Sequence, residues 1–208
     1  MSRVDVLKSL LRSTAVSAAE GVRKLPISAA VQRLLSEAAL GRAPITDAQL
    51  TAEAARVAGV TAATVRTDTE RVRLHATFED GSDVAFALRP AGVMFAPGGA
   101  KEVSFTVEPP EAADAGRARD LIGSIGSAVA RRLWAPVLAR APRAPGSAPV
   151  SRQGARLYMD LRSVPEVRWG LGRRVPATVI EALSLKAIEL EEAKLVLSIT
   201  VPALEQMR

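Results

Sequence analysis

The sequence predicts an α+β protein: a curved antiparallel β-sheet packed against a long amphipathic helix, with an N-terminal helical region ahead of both. Three observations lead there. Residues 70–108 alternate apolar and polar positions and are broken three times by turn residues, the pattern of a half-buried meander. Residues 112–139 carry an apolar stripe at three- and four-residue steps, the mark of a helix with one buried face. Residues 183–201 alternate again and supply further strands.

The first helix is predicted over residues 2–24, where Val4, Leu7, Leu10, Leu11, Thr14, Ala15, Ala18 and Val22 recur on one side. Lys8, Arg12 and Arg23 fall on the other side, giving a basic amphipathic helix. Two readings are open: contact with an anionic membrane surface through those three cations, or docking on the sheet with the charges in water. Pro26 interrupts, Ser28 caps a second helix over Ala29 to Leu40, and Gly41 ends it. Ala43-Pro44 reads as a connector. Thr46-Asp47-Ala48-Gln49 has the form of a capping box and opens an Ala-rich helix that stops at Gly59. Residues 1–59 are thus the helical region. Residues 60–208 carry the sheet, its covering helix 112–139 and a Pro-rich loop 141–152, all in one domain.

From Val60 the chain becomes extended and leads into the meander. Val72, Leu74, Ala76 and Phe78 share one side of its first strand, and Arg71, Arg73, His75 and Thr77 the other. Val84, Phe86 and Leu88 share a side in the next strand, and Val103, Phe105 and Val107 in the last. A three-residue loop, Asp80-Gly81-Ser82, keeps Phe78 and Val84 on one face, whereas a two-residue turn would split them; one-faced burial specifies register. Arg89-Pro90-Ala91-Gly92 and Pro97-Gly98-Gly99-Ala100 are further breaks, with a short strand from Val93 to Ala96 between them.

In the helix over 112–139, Leu121, Ile122, Ile125, Ala128, Val129, Leu133 and Val137 form the stripe. Gly123 and Gly126 lie inside it, each costing about 1 kcal/mol against alanine, and so mark close approach to another element or to a ligand. Pro136 kinks the helix or ends it near Trp134. The Pro-, Ala-, Gly- and Ser-rich run 141–152 reads as a linker. A strand follows over Ala155–Leu161, then an irregular stretch 165–174, then a short helix from Ala177 to Ala182 behind Pro176. Two strands, Leu183 to Leu190 and Ala193 to Val201, turn at Glu191-Glu192; Leu195, Leu197, Ile199 and Val201 share one face. These strands are expected to join the meander in one curved sheet.

Composition narrows the function. Cysteine is absent, which removes disulfides, thiolate nucleophiles and Cys-based metal sites. The formal charge of +6 suits an anionic partner or simply charge spread over solvated faces. No apolar run approaches the roughly 18 residues of a membrane span, and the N-terminus lacks the apolar core of a signal peptide, so the chain is expected in the cytoplasm, peripheral at the membrane if the first helix binds one. His75 is the one histidine and sits on the polar side of its strand with no nucleophile elbow in the sequence. Glu79, Asp80 and Asp83 lack the spacing of a chelating loop. Gly170-Leu171-Gly172 is not a phosphate cradle. Arg71, Arg73 and His75, and separately Arg173-Arg174, lack the interleaved aromatics of a nucleic-acid surface. No catalytic set, metal or cofactor is expected, and nucleic acid is disfavoured as a partner.

The apolar faces meet in a way that bears on function. Leu74, Phe78, Phe86, Leu88, Phe105, Leu197 and Ile199 on the sheet face Leu121, Ile122, Ile125 and Val129 on the helix. Tight packing makes these a plain core. Sheet curvature that holds the helix away makes them the walls of a groove for a hydrophobic ligand.

Two phrases, AGVTAATVRTDTERVRLHATFEDG and VPATVIEALSLKAIELEEAKLVLSITVP, resemble extended segments of the tubular lipid-binding superfamily, which includes the BPI-like and SMP-like domains and small bacterial single-domain relatives. The resemblance covers 60–108 and 176–202. It implies a long helix against a strongly curved sheet and acyl chains in the groove between them. The expectation is therefore a non-enzymatic protein that binds a lipid or other acyl ligand. The alternative is an interaction or scaffold module with a solid core, using its basic helix or Pro-rich loop to recruit a protein partner or a second copy of itself.

Overall fold

The computed structural model describes residues 41–96, 99–114, 116–138, 146–171 and 184–200. The helices expected over 2–24, 29–40 and 177–182, with Lys8, Arg12, Arg23 and the Arg173-Arg174 pair, lie outside the described residues.

In order, the chain runs β1 (Arg42–Thr46), α1 (Asp47–Ala54), β2 (Val60–Thr67), β3 (Val72–Phe78), β4 (Asp83–Phe95), β5 (Lys101–Glu108), a 3-10 turn (Pro110–Asp114), α2 (Gly116–Leu133), α3 (Ala135–Leu138), β6 (Val150–Gln153), β7 (Arg156–Asp160), a second 3-10 turn (Leu161–Ser163), α4 (Pro165–Leu171), β8 (Ser184–Glu191) and β9 (Lys194–Thr200). The α+β class and the antiparallel pairing are as the alternation predicts. The single curved sheet is not. The strands divide into a six-stranded sheet, order β2-β3-β4-β5-β7-β6, and a three-stranded sheet, order β1-β9-β8.

The division follows from β1, which the sequence presents as a connector. Ala43 and Ile45 point inward and are 5% and 2% exposed, opposite Leu197 and Leu195 of β9. Pro44 is tolerated because β1 is an edge strand, where a missing N–H breaks no ladder. The C-terminal hairpin thus takes β1 as partner instead of extending the meander. Its turn joins the two sheets: Ala193 N–H donates to Thr67 O at 2.9 Å, and Asp47 N–H donates to Ala193 O at 3.1 Å.

In the meander, Leu74 pairs with Phe86 and Ala76 with Val84, keeping the apolar set on one face. The loop has the expected three residues but lies one position earlier, Glu79-Asp80-Gly81, since Phe78 N–H donates to Ser82 O at 2.9 Å. Gly81 takes the left-handed conformation (φ 78°) that closes such a loop. The break expected at Pro90 is a bulge inside one long strand, with the register shifting between Pro90 and Gly92. β3 pairs with β4 only as far as Leu88, so Pro90 lies beyond its neighbour's end. Two further elements depart from expectation. Residues 150–152, the end of the stretch read as linker, form edge strand β6 together with Gln153, and residues 165–171, read as irregular, form α4 with Pro165 in its first turn.

The capping box is present: Thr46 Oγ1 accepts from Gln49 N–H, and Gln49 Oε1 accepts from Thr46 N–H. The long helix is shorter than 112–139. It spans Gly116–Leu133 and breaks at Trp134, where Pro136 leaves the preceding turn without its N–H. Nor is it an amphipathic cover. Residues 121–130 are all buried, because the helix is central, with both sheets, α1 and the 146–149 segment around it. The close approach marked by its glycines is to protein. A Cβ on Gly123 would meet the Ala148 carbonyl at 2.4 Å, and one on Gly126 would meet Met159 Sδ at 2.8 Å. At the helix start, Arg117 grips the β3–β4 hairpin through both Asp80 oxygens, at 3.0 and 2.9 Å, and lies 4.7 Å from the centre of the Phe78 ring. No helix among the described residues is long and apolar enough to cross a membrane.

Candidate functional site

Leu74, Phe78, Phe86, Leu88, Phe105, Leu121, Ile122, Ile125, Val129, Leu197 and Ile199 do come together, all in one cluster and none more than 8% exposed. They fill the space they were expected to border. Trp134, Leu157, Met159, Val164 and Val167, each fully buried, belong to the same cluster. Full burial of such side chains is worth about 1.5–3 kcal/mol each, which favours closing the interior.

Among the described residues, the opposite face of the six-stranded sheet carries exposed side chains over β2, β3 and the start of β4. Cross-strand register builds two rows on it: Thr64, His75 and Ala85, and beside them Arg66, Arg73, Ala87 and Glu108. Together they line a shallow trough of about 590 Å³. Ala85 and Ala87 on β4 are its low, apolar part, with His75 and Arg73 beside them on β3, Thr64 and Arg66 one strand further on β2, and Glu108 across from Ala87 on β5. The arginine ladder read from sequence is on this face, but its charges are matched internally. Arg73 pairs with Asp68 at 2.7 Å, Arg71 with Glu70 at 3.2 Å and Glu108 at 3.5 Å, and Arg89 with Glu108 at 3.2 Å. The Glu70 and Arg71 backbone N–H groups, helped by Arg73 and Arg71, hold Asp68 below the ordinary carboxylate range. His75 Nε2 lies 3.6 Å from Asp83 Oδ1.

Arg66 is different. It is exposed, directly opposite Arg73, and has no acceptor among the described residues. Like charges directly opposed across two strands are unfavourable. Sequence reasoning passed over Arg66 because it lies in a Thr-rich run rather than in the ladder. Its parity with Thr64 is the signal that places it on the polar face.

A second cavity, about 440 Å³, lies where α1, α2 and the 146–148 segment meet. Asp120, Ser124, Ser127 and Arg131 line it from α2, at steps of four, three and four that put them along one side of a helix. Ser124 and Ser127 are 3% and 2% exposed. Ser124 Oγ donates to Leu121 O at 2.6 Å, and Ser127 Oγ accepts from Ala148 N–H at 3.0 Å. At one end Arg131 joins Glu53 of α1 to Glu166 of α4, and Arg56 Nη1 reaches Glu53 at 2.5 Å. No group of three or more metal-ligating side chains occurs among the described residues.

Compared with protein-family models, curated proteins and solved structures, the chain matches none.

Proposed function

We propose that the chain is a non-enzymatic binding protein for an anionic acyl ligand, held in the open trough on the outer sheet face and not in the interior. The observation that carries this reading is Arg66, an exposed guanidinium without an acceptor among the described residues, opposed to a second arginine and one strand removed from the low patch of Ala85 and Ala87. A carboxylate or phosphate head on Arg66 relieves the like-charge opposition, and the alkyl portion crosses β3 between Arg73 and His75 to cover the alanines of β4. The trough volume is within the range of small-ligand sites. The ladder's internal pairing argues against a polyanion, since binding one would require breaking those ion pairs.

Titration with a fluorescent fatty acid, displaced by laurate, tests the reading. A charge-assisted hydrogen bond contributes about 1.5–3 kcal/mol, so Arg66→Glu is expected to weaken laurate binding at least about tenfold, and dodecanol to compete poorly. Equal laurate binding by wild type and Arg66→Glu overturns it, as does no binding at all.

The closed core also favours a second reading, an interaction module whose partner presents a carboxylate to the same trough. A second copy of the chain as that partner predicts a concentration-dependent dimer that Arg66→Glu abolishes.

A further inference from the structure

The polar cleft at the junction of α1, α2 and the 146–148 segment has the makings of a separate binding site. The buried part of α2, residues 121–130, is mostly apolar, yet one side of it buries two serines, with a charged residue beyond each end of that side. The local geometry is fixed by the chain itself. Gly123 admits the 146–148 backbone, and the Ala148 N–H bonds to both Gly123 O and Ser127 Oγ.

Charge and donor bookkeeping define what fits. At the inner end, Arg56 and Arg131 offset Glu53 and Glu166, with Glu53 14% and Glu166 3% exposed. Asp120, at the other end, is exposed and has no partner among the described residues, so the uncompensated charge of the cleft is a carboxylate that can only accept. The middle and inner end offer donors. Ser127 Oγ has accepted a backbone N–H and retains its own proton to give, Ser147 has no partner among the described residues, and Arg56 uses only Nη1 on Glu53. Seven helical residues from Asp120 to Ser127 correspond to about 10 Å along the axis.

We propose that this cleft binds an elongated aliphatic zwitterion, its ammonium on Asp120 and its carboxylate at the Ser127 and Ser147 hydroxyls with Arg56 behind them. A simple anion leaves Asp120 unanswered, a simple amine leaves the donors unanswered, and a compact zwitterion cannot reach both ends. A free ω-amino acid and the lysine of a peptide C-terminus share this chemistry.

The test is titration of the full chain with ε-aminocaproate, hexylamine and hexanoate, followed by amide chemical shifts. The site predicts ε-aminocaproate shifts at Ser124, Ser127 and Ser147, with either singly charged analogue at least about tenfold weaker there. Shifts from hexanoate at Ala85 and Ala87 report the trough and are separable by position. Asp120→Asn is expected to reduce ε-aminocaproate affinity to that of hexanoate while leaving the thermal midpoint unchanged. A peptide ending in lysine is expected to compete if the natural source is a protein C-terminus, and only the free amino acid if it is not. Equal affinity for all three compounds, absence of shifts at the three serines, or an unaffected Asp120→Asn variant would overturn the proposal.

Discussion

Replacing Gly123 with alanine sets two opposing effects against each other at the contact between α2 and the 146–148 segment. In a free helix the change gains about 1 kcal/mol. Here the new Cβ stands 2.4 Å from the Ala148 carbonyl oxygen, 2.7 Å from Ser147 Oγ and 2.9 Å from Ser147 Cβ. Comfortable heavy-atom contacts begin at roughly 3.5 Å, so the segment must retreat by about an ångström. The nearest atom is backbone, and that backbone is anchored by Ala148 N–H, which lies 3.1 Å from Gly123 O and 3.0 Å from Ser127 Oγ. Leaving that buried donor unsatisfied costs about 1–3 kcal/mol, and overpacking adds about 1–3 kcal/mol. The net expectation is a loss of about 1–5 kcal/mol, centred near 3. Urea unfolding measures it, with an unchanged slope required for the comparison. Gly116→Ala is the control: a Cβ there meets nothing within 4 Å, so that variant should be neutral or gain up to about 1 kcal/mol. A Gly123→Ala protein as stable as wild type would refute the close-packing argument.

Three other outcomes follow from the same contacts. Arg131→Met leaves Glu166, 3% exposed, without its cation, and is expected to cost about 3 kcal/mol in chemical unfolding, partly restored by adding Glu166→Gln. Ala193 holds a left-handed backbone (φ 58°) at the β8–β9 turn, so Ala193→Gly should stabilise by about 0.5–1 kcal/mol after the entropy of glycine is deducted. The Arg117 hydrogen bond, followed by the Ser82 hydroxyl and N–H, depresses the Asp80 carboxyl far below its usual range. A depressed carboxylate stabilises the fold above the ordinary Asp pKa and loses that contribution as pH falls through the folded value. The stability gap between wild type and Asp80→Asn should therefore narrow in thermal scans from about pH 6 to pH 2, and a constant gap would contradict the pairing.

Local patterns carried much of the fold. The alternation of Val72 to Phe78 and of Leu195 to Ile199 identifies strands and their buried faces, and the Thr46–Gln49 box identifies a helix start, because period and capping chemistry are short-range. Partner choice is not. Nothing near Ala43 and Ile45 says that they pair with Leu197 and Leu195, and Pro44 disguises the strand unless its edge position is known. β6 is hidden in a run of Pro, Ala, Gly and Ser for a similar reason. Groove and core could not be separated from the two apolar faces alone, since the filling comes from elsewhere: Trp134 at a helix break, and Val164 and Val167 in a stretch without clear period. The polar stripe of Asp120, Ser124, Ser127 and Arg131 was open to reading, but the apolar stripe beside it drew the helix assignment.

Residue-resolved mapping of laurate on the wild-type chain tests the account most directly, because it separates an outer trough from an opened interior. The account predicts amide shifts that saturate at Thr64, Arg66, Arg73, Ala85 and Ala87, with Ile125, Val129 and Leu197 unmoved. Saturating shifts at those three core residues, with the outer rows silent, would contradict it.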